Sequence, residues 1–502
     1  MSIVNISLLL DMAADGFGDR VLAGRRSAGL TAARVRRLSV GGARQIRDAG
    51  ADSVVYLGVN GPAFPVALFA AARAGVPLVP VNYRLGADQL RPLLANHPRA
   101  LGLAGPGEIG QLRAAGLTAL TFDEWLEVIG PLAHASGAAD DAVAAPAAAA
   151  LIYTSGTTSA PKGVLVKHSN LLAYVFGTVV FASADETDGG LISVPPYHIA
   201  SVANAITNLY AGRRTIVLEQ FTAAQWLELV RVEGVTNALV VPTMLARIVD
   251  EAEAGDGDVP SLRTLAYGGA PMPASVIERA LRRWPHVGFV NAYGLTETSS
   301  TIAVLGPEDH RAALASDDPA LRSRLSSAGQ PVPGLELAIR DPFGAELPAG
   351  EVGRIWVRGD QVCGEYAGSG PAVDADGWFD TRDQGYLDAD GYLFIGGRAD
   401  DTIIRGAENI APAEIEDVLL AHPEVDDAVV VGVPDDEWGQ RIEAAVVLRA
   451  AATVAPDELR AHVRDRMRGS KTPDRIEVWT EIPRTETGKL VRRRALQRLL
   501  EG

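Results

Sequence analysis

Cysteine is nearly absent from this chain: Cys363 is the only one in 502 residues. No internal disulfide can form, so the fold is expected to rest on its apolar core and to tolerate a reducing, cytoplasmic compartment. Lysine is almost as scarce. It stands only at Lys162, Lys167, Lys471 and Lys489, although Lys and Arg together number 46. Long apolar runs are missing as well. The most hydrophobic window, residues 53–81, is cut by Asn60, Gly61, Pro62, Pro65 and Arg73, which suits a buried strand–helix–strand and excludes a membrane span there. The N-terminal stretch MSIVNISLLLDMAADG has no positive segment and no clear cleavage site, so a secretory leader is not expected. Acidic residues number 62 and the net charge is −16, which argues against nucleic acid or an anionic membrane as a general partner. No repeat of solenoid length is evident.

What is there suits a folded enzyme. The chain is 47% apolar and 22% charged, too apolar for disorder, and its length exceeds what one core usually carries, so two or more domains are expected. From about residue 30, short β-type runs alternate with Ala-rich helical stretches. SVVYLGV and PLVPV read as strands around the helix PAFPVALFAAARAG; LISVPPY, RTIVLEQ, NALVVPT, TLAYGGA and GFVNAYG read as later strands. This β-α-β alternation predicts an α/β architecture with parallel-rich sheets. After residue 330, LELAIRD, GRIWVRG and GYLFIGG are joined by Gly/Asp turns and predict a small β-rich subdomain. Past Arg398 the pattern changes again. A helix over AENIAPAEIEDVLLAHPEV, strands DDAVVVGVP, RIEAAVVLR and RIEVWTEIP, and the helices PDELRAHVRDRM and LVRRRALQRLL predict a compact α+β unit of about one hundred residues. The expected division is 1–398 and 399–502, with the boundary near Asp400.

The stretch YTSGTTSAPKG, Tyr153–Gly163, crowds Thr154, Ser155, Thr157 and Thr158 together with two glycines and Lys162. Hydroxyls and free N–H groups donate hydrogen bonds, Gly156 lets a backbone come close, and Lys162 adds charge; together they suit an anion. The loop is not the nucleotide P-loop. Pro161 stands at the second glycine position and would block the helix that a P-loop launches, and Lys162 is followed by Gly163 rather than Ser or Thr. A chain built on arginine nonetheless places lysine here and in the C-terminal turn RTETGKL, where a compact point charge can reach between two anions as a flat guanidinium cannot.

YTSGTTSAPKG, YGGAP (Tyr267–Pro271), NAYGLTE (Asn291–Glu297), GWFDTRDQGY (Gly377–Tyr386), GRADDTIIRGAENIAPAEIE (Gly397–Glu416) and PRTETGKLVRR (Pro483–Arg493) follow one another in this order. Together they resemble the adenylate-forming superfamily, in its acyl- and aryl-CoA synthetase branch. The resemblance runs from roughly residue 50 to the end. It implies a two-step reaction: a carboxylate attacks the α-phosphate of MgATP to give an acyl-adenylate and pyrophosphate, and the thiol of coenzyme A then displaces AMP. It also implies a mobile C-terminal domain that turns about a hinge near Asp400.

The resemblance assigns roles residue by residue. Thr154, Ser155, Gly156, Thr157, Thr158 and Lys162 would hold the β- and γ-phosphates. Gly269, Ala270 and Pro271 would line the nucleotide site through backbone, with Ala292 and Gly294. Tyr293 would stack on adenine, Thr296 would donate to the α-phosphate, and Glu297 would bind Mg²⁺, which prefers carboxylate oxygen. Asp383 would accept from the ribose hydroxyls, with Arg398 beside it. Lys489 would be catalytic in adenylation, bridging carboxylate and AMP; after the small domain turns, Arg405–Ile410, with Gly406 and Ala407, would form the thiol tunnel. Trp438 and Lys471 are candidates near the CoA nucleotide.

His198, Ala200, Gly268, Ala292, Gly294, Ser299 and Ser300 would line the acyl pocket, and His198 would also be catalytic, gating the pocket or orienting the carboxylate. No aspartate stands between Ser193 and Tyr210 to hold a substrate amine, so an aromatic, alicyclic or medium-chain acid is expected over an amino acid. A ligase that loads a carrier protein and a noncatalytic acyl-adenylate-binding protein are the alternatives. Partners are expected to be small molecules, with a homodimer left open. The chain departs from the family pattern at Ser159, Arg382 and Ala407, each standing where glycine is usual.

Overall fold

The computed structural model describes residues 5–133, 148–154, 161–398, 401–405, 408–435, 438–450, 452–467, 469–485, 488 and 490–501. Two large sheets dominate its first four hundred residues. In one, the strands Val54–Leu57, Leu78–Val81, Leu101–Ala104 and Thr118–Thr121 run parallel. The strand Ala148–Thr154 joins them at Leu78, and Lys162–Lys167 returns antiparallel to it. VVYL and LVPV are buried at every position, as expected of parallel strands covered on both faces. The connecting helix Ala63–Ala74 is buried on nearly all sides.

The other sheet sets Gly189–Ile192, Arg214–Val217, Asn237–Val240, Thr264–Gly268 and Gly288–Tyr293 parallel, with Ala303–Leu305 antiparallel at Tyr293. Its core gathers Trp226, Leu245, Tyr267, Trp284 and Phe289. The run LISVPPY is strand only to Ile192; the paired prolines that follow cannot donate to a ladder. A four-stranded antiparallel sheet, Glu336–Arg340, Gly353–Arg358, Phe379–Leu387 and Leu393–Arg398, forms the β-rich subdomain.

Beyond it lies the α+β unit. Val425–Asp435 pairs antiparallel with Gly439–Leu448, which pairs parallel with Arg475–Trp479. Alternation on the first strand decides the packing. Ala428 and Val430 face the helices Pro412–Leu420 and Pro456–Arg464, while Val429, Val431 and Val433 face the helix Arg492–Glu501. The helix expected over the AENIAPAEIE stretch starts late. Glu408–Ile410 is a strand paired with Ile403–Arg405, and the helix opens with Pro412 in its first turn, where proline's fixed φ suits a start but not an interior. Among the described residues, no helix is long and apolar enough to cross a membrane.

Candidate active site

Ligands of α/β sheets bind beyond the carboxyl ends of the parallel strands. A cavity of about 360 Å³ lies there, lined by Asn60 and Tyr83 from the first sheet and by Ser193 and Thr243 from the second. Arg84, Glu219 and Arg247 add charge to the lining, and Arg484, Thr485 and Gly488 of the C-terminal unit close one side; among the described residues, no site residue expected from the sequence lines this cavity. Arg484 holds that turn to its own unit through Asp427, at 2.6 and 2.9 Å, and donates to Gly488 O at 2.7 Å. Gly488 has φ +78, and a Cβ there would stand 2.8 Å from Thr243 Oγ1. The C-terminal turn therefore seats on the large unit where only glycine fits. Lys489 follows it in sequence and lies outside the described residues, as do Ser155, Gly156, Thr157, Thr158, Asp400, Gly406 and Ala407.

The nucleotide-side candidates converge. Tyr293 ends its strand and donates to Asp383 Oδ2 at 2.6 Å; Arg398, its strand neighbour, holds Asp383 Oδ1 at 2.8 Å. Burial, then the Asp383 charge, pushes the Tyr293 phenol well above its ordinary range, so it stays a neutral donor. Asp383 also takes its backbone geometry from Thr381, whose hydroxyl accepts from Asp383 N at 3.1 Å. Arg382, between them, has φ +62: an arginine adopts the conformation that the usual glycine would supply.

Thr296 and Glu297 begin a short 3₁₀ turn separated by two residues from the strand that ends at Tyr293. The Glu297 carboxylate accepts from Tyr366 Oη at 2.9 Å, and the Tyr366 ring lies 5.6 Å from Lys162 Nζ. The Thr154 hydroxyl reaches Lys162 O at 3.4 Å. Among the described residues no three His, Cys, Asp or Glu side chains converge as a metal site. One carboxylate without an ion-pair partner among the described residues nonetheless fits Mg²⁺, which usually takes one or two carboxylates and completes its shell with substrate phosphates and water.

The acyl-pocket candidates divide. His198 precedes the helix Ile199–Ala211, with its ring 4.6 Å from that of Tyr197, and Ala200 packs beside Ile192, Val194 and Val241. Gly268 pairs with Ala292 across adjacent strands. A Cβ on Gly294 would stand 1.5 Å from Ser300 O, so no other residue fits. Gly269 and Pro271 are exposed and Ala270 half-buried. Ser299 turns away from the surface. It is fully buried, and its hydroxyl donates to Gln361 O at 2.8 Å and lies 3.4 Å from Cys363 Sγ. Its φ of +57, followed by +125 at Ser300, turns the side chain inward. Trp438 and Lys471 keep to the small unit: Arg405 stands over the Trp438 ring and Lys471 pairs with Glu414.

Sequence reasoning missed Tyr366 and Gln361. Gln361 donates to Thr298 O and Thr301 O, bracing the turn that carries Glu297. The only signal for Tyr366 was an aromatic between Gly364 and Gly368.

Two parallel-rich sheets meet at one cleft that the C-terminal turn also lines, and Glu297 and Lys162 gather around Tyr366, an arrangement of the class found in nucleotide-using α/β enzymes. Comparison with known proteins agrees. The family model "AMP-binding enzyme" matches residues 10–367, and "AMP-binding enzyme C-terminal domain" matches 414–489. A feruloyl-CoA synthase from Amycolatopsis sp is 34% identical over 470 residues, 91% of each chain. A fatty acid–[acyl-carrier-protein] ligase from Streptomyces coeruleorubidus is 34% identical over 455 residues, 88% of this chain and 86% of that one. The solved o-succinylbenzoate CoA synthetase of Bacillus subtilis, in complex with its acyl-adenylate intermediate, superposes with a TM-score of 0.83 at 27% identity over 97% of both chains. The chain belongs to the AMP-binding, adenylate-forming enzyme family, in its CoA-ligase branch.

Proposed function

We propose that the chain is an AMP-forming acid–thiol ligase that uses ATP, Mg²⁺ and coenzyme A. A carboxylate oxygen bonds to the α-phosphorus of ATP as the bond to pyrophosphate breaks. The thiol then takes the acyl group, and AMP leaves with the bonding pair. The first step brings a carboxylate against a polyanion, and such charges a few Å apart repel by several kcal/mol at intermediate dielectric. Bound Mg²⁺ supplies charge neutralisation on the phosphates. Glu297 holds the metal, Lys162 faces the terminal phosphates, and Asp383 takes the ribose. Lys489 crosses between carboxylate and AMP when the small domain is seated, and a hinge near Asp400 withdraws it for thioester formation.

The observation that carries this reading is the seating of Gly488 against Thr243. It puts the residue before Lys489 at the cleft mouth while Glu297 and Lys162 stand apart on either side of Tyr366. The acid is aromatic, alicyclic or medium-chain, since no aspartate stands between Ser193 and Tyr210 to hold a substrate amine and one relative is named for the aromatic feruloyl group. The location is cytoplasmic, where ATP and coenzyme A are both at hand.

A panel of carboxylic acids, read by coenzyme A-dependent AMP release, tests the reading. Release with none of them, together with no pyrophosphate exchange, would leave a noncatalytic adenylate-binding protein. Loading of a carrier protein is the second reading, favoured by the carrier-protein ligase among the relatives. Running the active acid with coenzyme A and with a phosphopantetheinylated carrier protein separates the two.

A further inference from the structure

We propose that Tyr366 is a positioning residue for adenylation: one side chain that orients Glu297 and keeps Lys162 from pairing with it. This rests on the assignment of Glu297 to the metal. The phenol donates to one Glu297 oxygen, Oε1, at 2.9 Å. A tyrosine O–H orients a carboxylate without cancelling its charge, whereas an arginine in its place would neutralise it. The Lys162 ammonium lies on the ring of the same residue, 5.6 Å from the centroid. That contact is a weak cation–π attraction, and Lys162 and Glu297 make no ion pair with each other. The ring is therefore a spacer. Without it, a flexible lysine and an unpaired carboxylate on neighbouring segments would be drawn together, and each would be lost to the polyphosphate and its metal.

The backbone makes the spacing rigid. The strand Glu365–Tyr366 adds to the first large sheet beside Lys162–Lys167, with Tyr366 opposite Val164 and Ala367 N bonded to Gly163 O at 2.8 Å. Lys167 and Glu365 pair at 3.0 Å on the same two strands. Upstream, Cys363 N donates to Glu297 O at 2.7 Å, and Ser299 Oγ donates to Gln361 O at 2.8 Å. Residues 361–367 thus bond on one side to the segment of the metal carboxylate and on the other to the strand that opens at Lys162.

The test uses the full-length enzyme with Y366F, which keeps the ring, Y366A, which removes it, and E297Q as a control on the underlying assignment. Two quantities are read: the Mg²⁺ concentration for half-maximal pyrophosphate exchange, and the thermal shift that ATP produces with and without Mg²⁺ in the absence of any acid. Y366F is expected to raise the Mg²⁺ midpoint about tenfold, the loss expected for one hydrogen bond to a charged group, with the rate at saturating Mg²⁺ within about twofold. Y366A is expected to raise it further and to abolish the Mg²⁺-dependent part of the thermal shift. K162A alone reports the lost phosphate contact; introducing Y366A into K162A should lower the Mg²⁺-dependent shift by less than introducing it into the parent, because the cation that competes for Glu297 is gone, and equal drops in the two backgrounds would overturn the spacer role. If E297Q removes the Mg²⁺ dependence while both Tyr366 variants leave it unchanged, the positioning role is wrong and the metal assignment stands. If E297Q leaves the Mg²⁺ dependence intact, the metal assignment itself fails.

Discussion

Tyr293 and Asp383 stand 90 residues apart in sequence and meet through one short hydrogen bond, Oη to Oδ2 at 2.6 Å, with Arg398 on the other carboxylate oxygen at 2.8 Å. The bond joins the end of a strand in the large parallel sheet to the antiparallel sheet of the β-rich subdomain. It therefore fixes the face on which adenine would stack relative to the group that would take the ribose. A hydrogen bond to a buried charge contributes about 1.5–3 kcal/mol. Y293F is expected to raise KM for ATP about tenfold in pyrophosphate exchange, with a smaller effect on kcat. D383N should raise it more, because the ion pair to Arg398 goes as well. Equal KM values for Y293F and the parent would place the nucleotide elsewhere.

Arg382 carries a second expectation. Its φ of +62 is a conformation that costs an L-residue roughly 1 kcal/mol and glycine nothing. The strain is met locally, since Arg382 N donates to Asp380 Oδ1 at 2.8 Å. R382G is expected to retain pyrophosphate exchange and to keep the melting temperature or raise it slightly, the relief being partly offset by glycine's freer unfolded chain. R382V, β-branched at positive φ, is expected to lower the melting temperature and raise KM for ATP by displacing Asp383. A melting temperature that falls with R382G and holds with R382V would show that the side chain, not the turn, matters here.

The strands and helices were legible because their apolar runs are simple. VVYL and LVPV announce buried strands, and the helix Ala223–Glu233 has Thr222 before it and Gly234 after it. Boundaries failed where proline overrode the apolar pattern, at Pro195 and at Pro412. Asp383 and Glu297 stood in motifs and could be named from them. Ser299 could not be placed, because two successive serines at positive φ, with no glycine to signal it, turn the side chain into the core. Tyr366 was invisible for a different reason. Its role depends on a two-residue strand that joins a distant sheet edge, and contacts of that kind leave no periodicity in sequence.

If the small domain serves adenylation in the proposed seated position, the approach of Gly488 to Thr243 gives a way to separate the two half-reactions. K489A is expected to remove most adenylation while sparing thioester formation from supplied acyl-adenylate. G488V should do the same by another route: its side chain collides with Thr243 and it must adopt positive φ, so the turn cannot seat. T243A removes the atoms nearest that collision. In a double-mutant cycle, G488A with T243A should regain part of the adenylation lost by G488A alone, an interaction of about 1 kcal/mol, while the residual loss reports the backbone strain. Additive losses would mean that Gly488 and Thr243 do not meet during catalysis. Equal loss of both half-reactions in K489A would refute the division of labour between the two domain positions.

His168 sets a limit at low pH. The residue is fully buried, and its Nδ1 accepts from Ile6 N at 3.4 Å, which requires the neutral ring. Burial lowers its pKa to about 4 from the usual 6.5. Above pH 6.5 native and unfolded chains are both neutral at this position, and the native state keeps its full advantage. As pH falls below 6.5 the unfolded chain takes up a proton that the native ring refuses. Stability is therefore lost progressively, at up to about 1.4 kcal/mol per pH unit, until the native ring also protonates near pH 4; the total is about 3 kcal/mol. The melting temperature of the large unit should fall between pH 7 and pH 4.5. In H168Q, which cannot titrate and can still accept from Ile6 N, that slope should be shallower even though the variant starts lower at pH 7. Parallel slopes in the two proteins would assign the acid sensitivity to carboxylates instead.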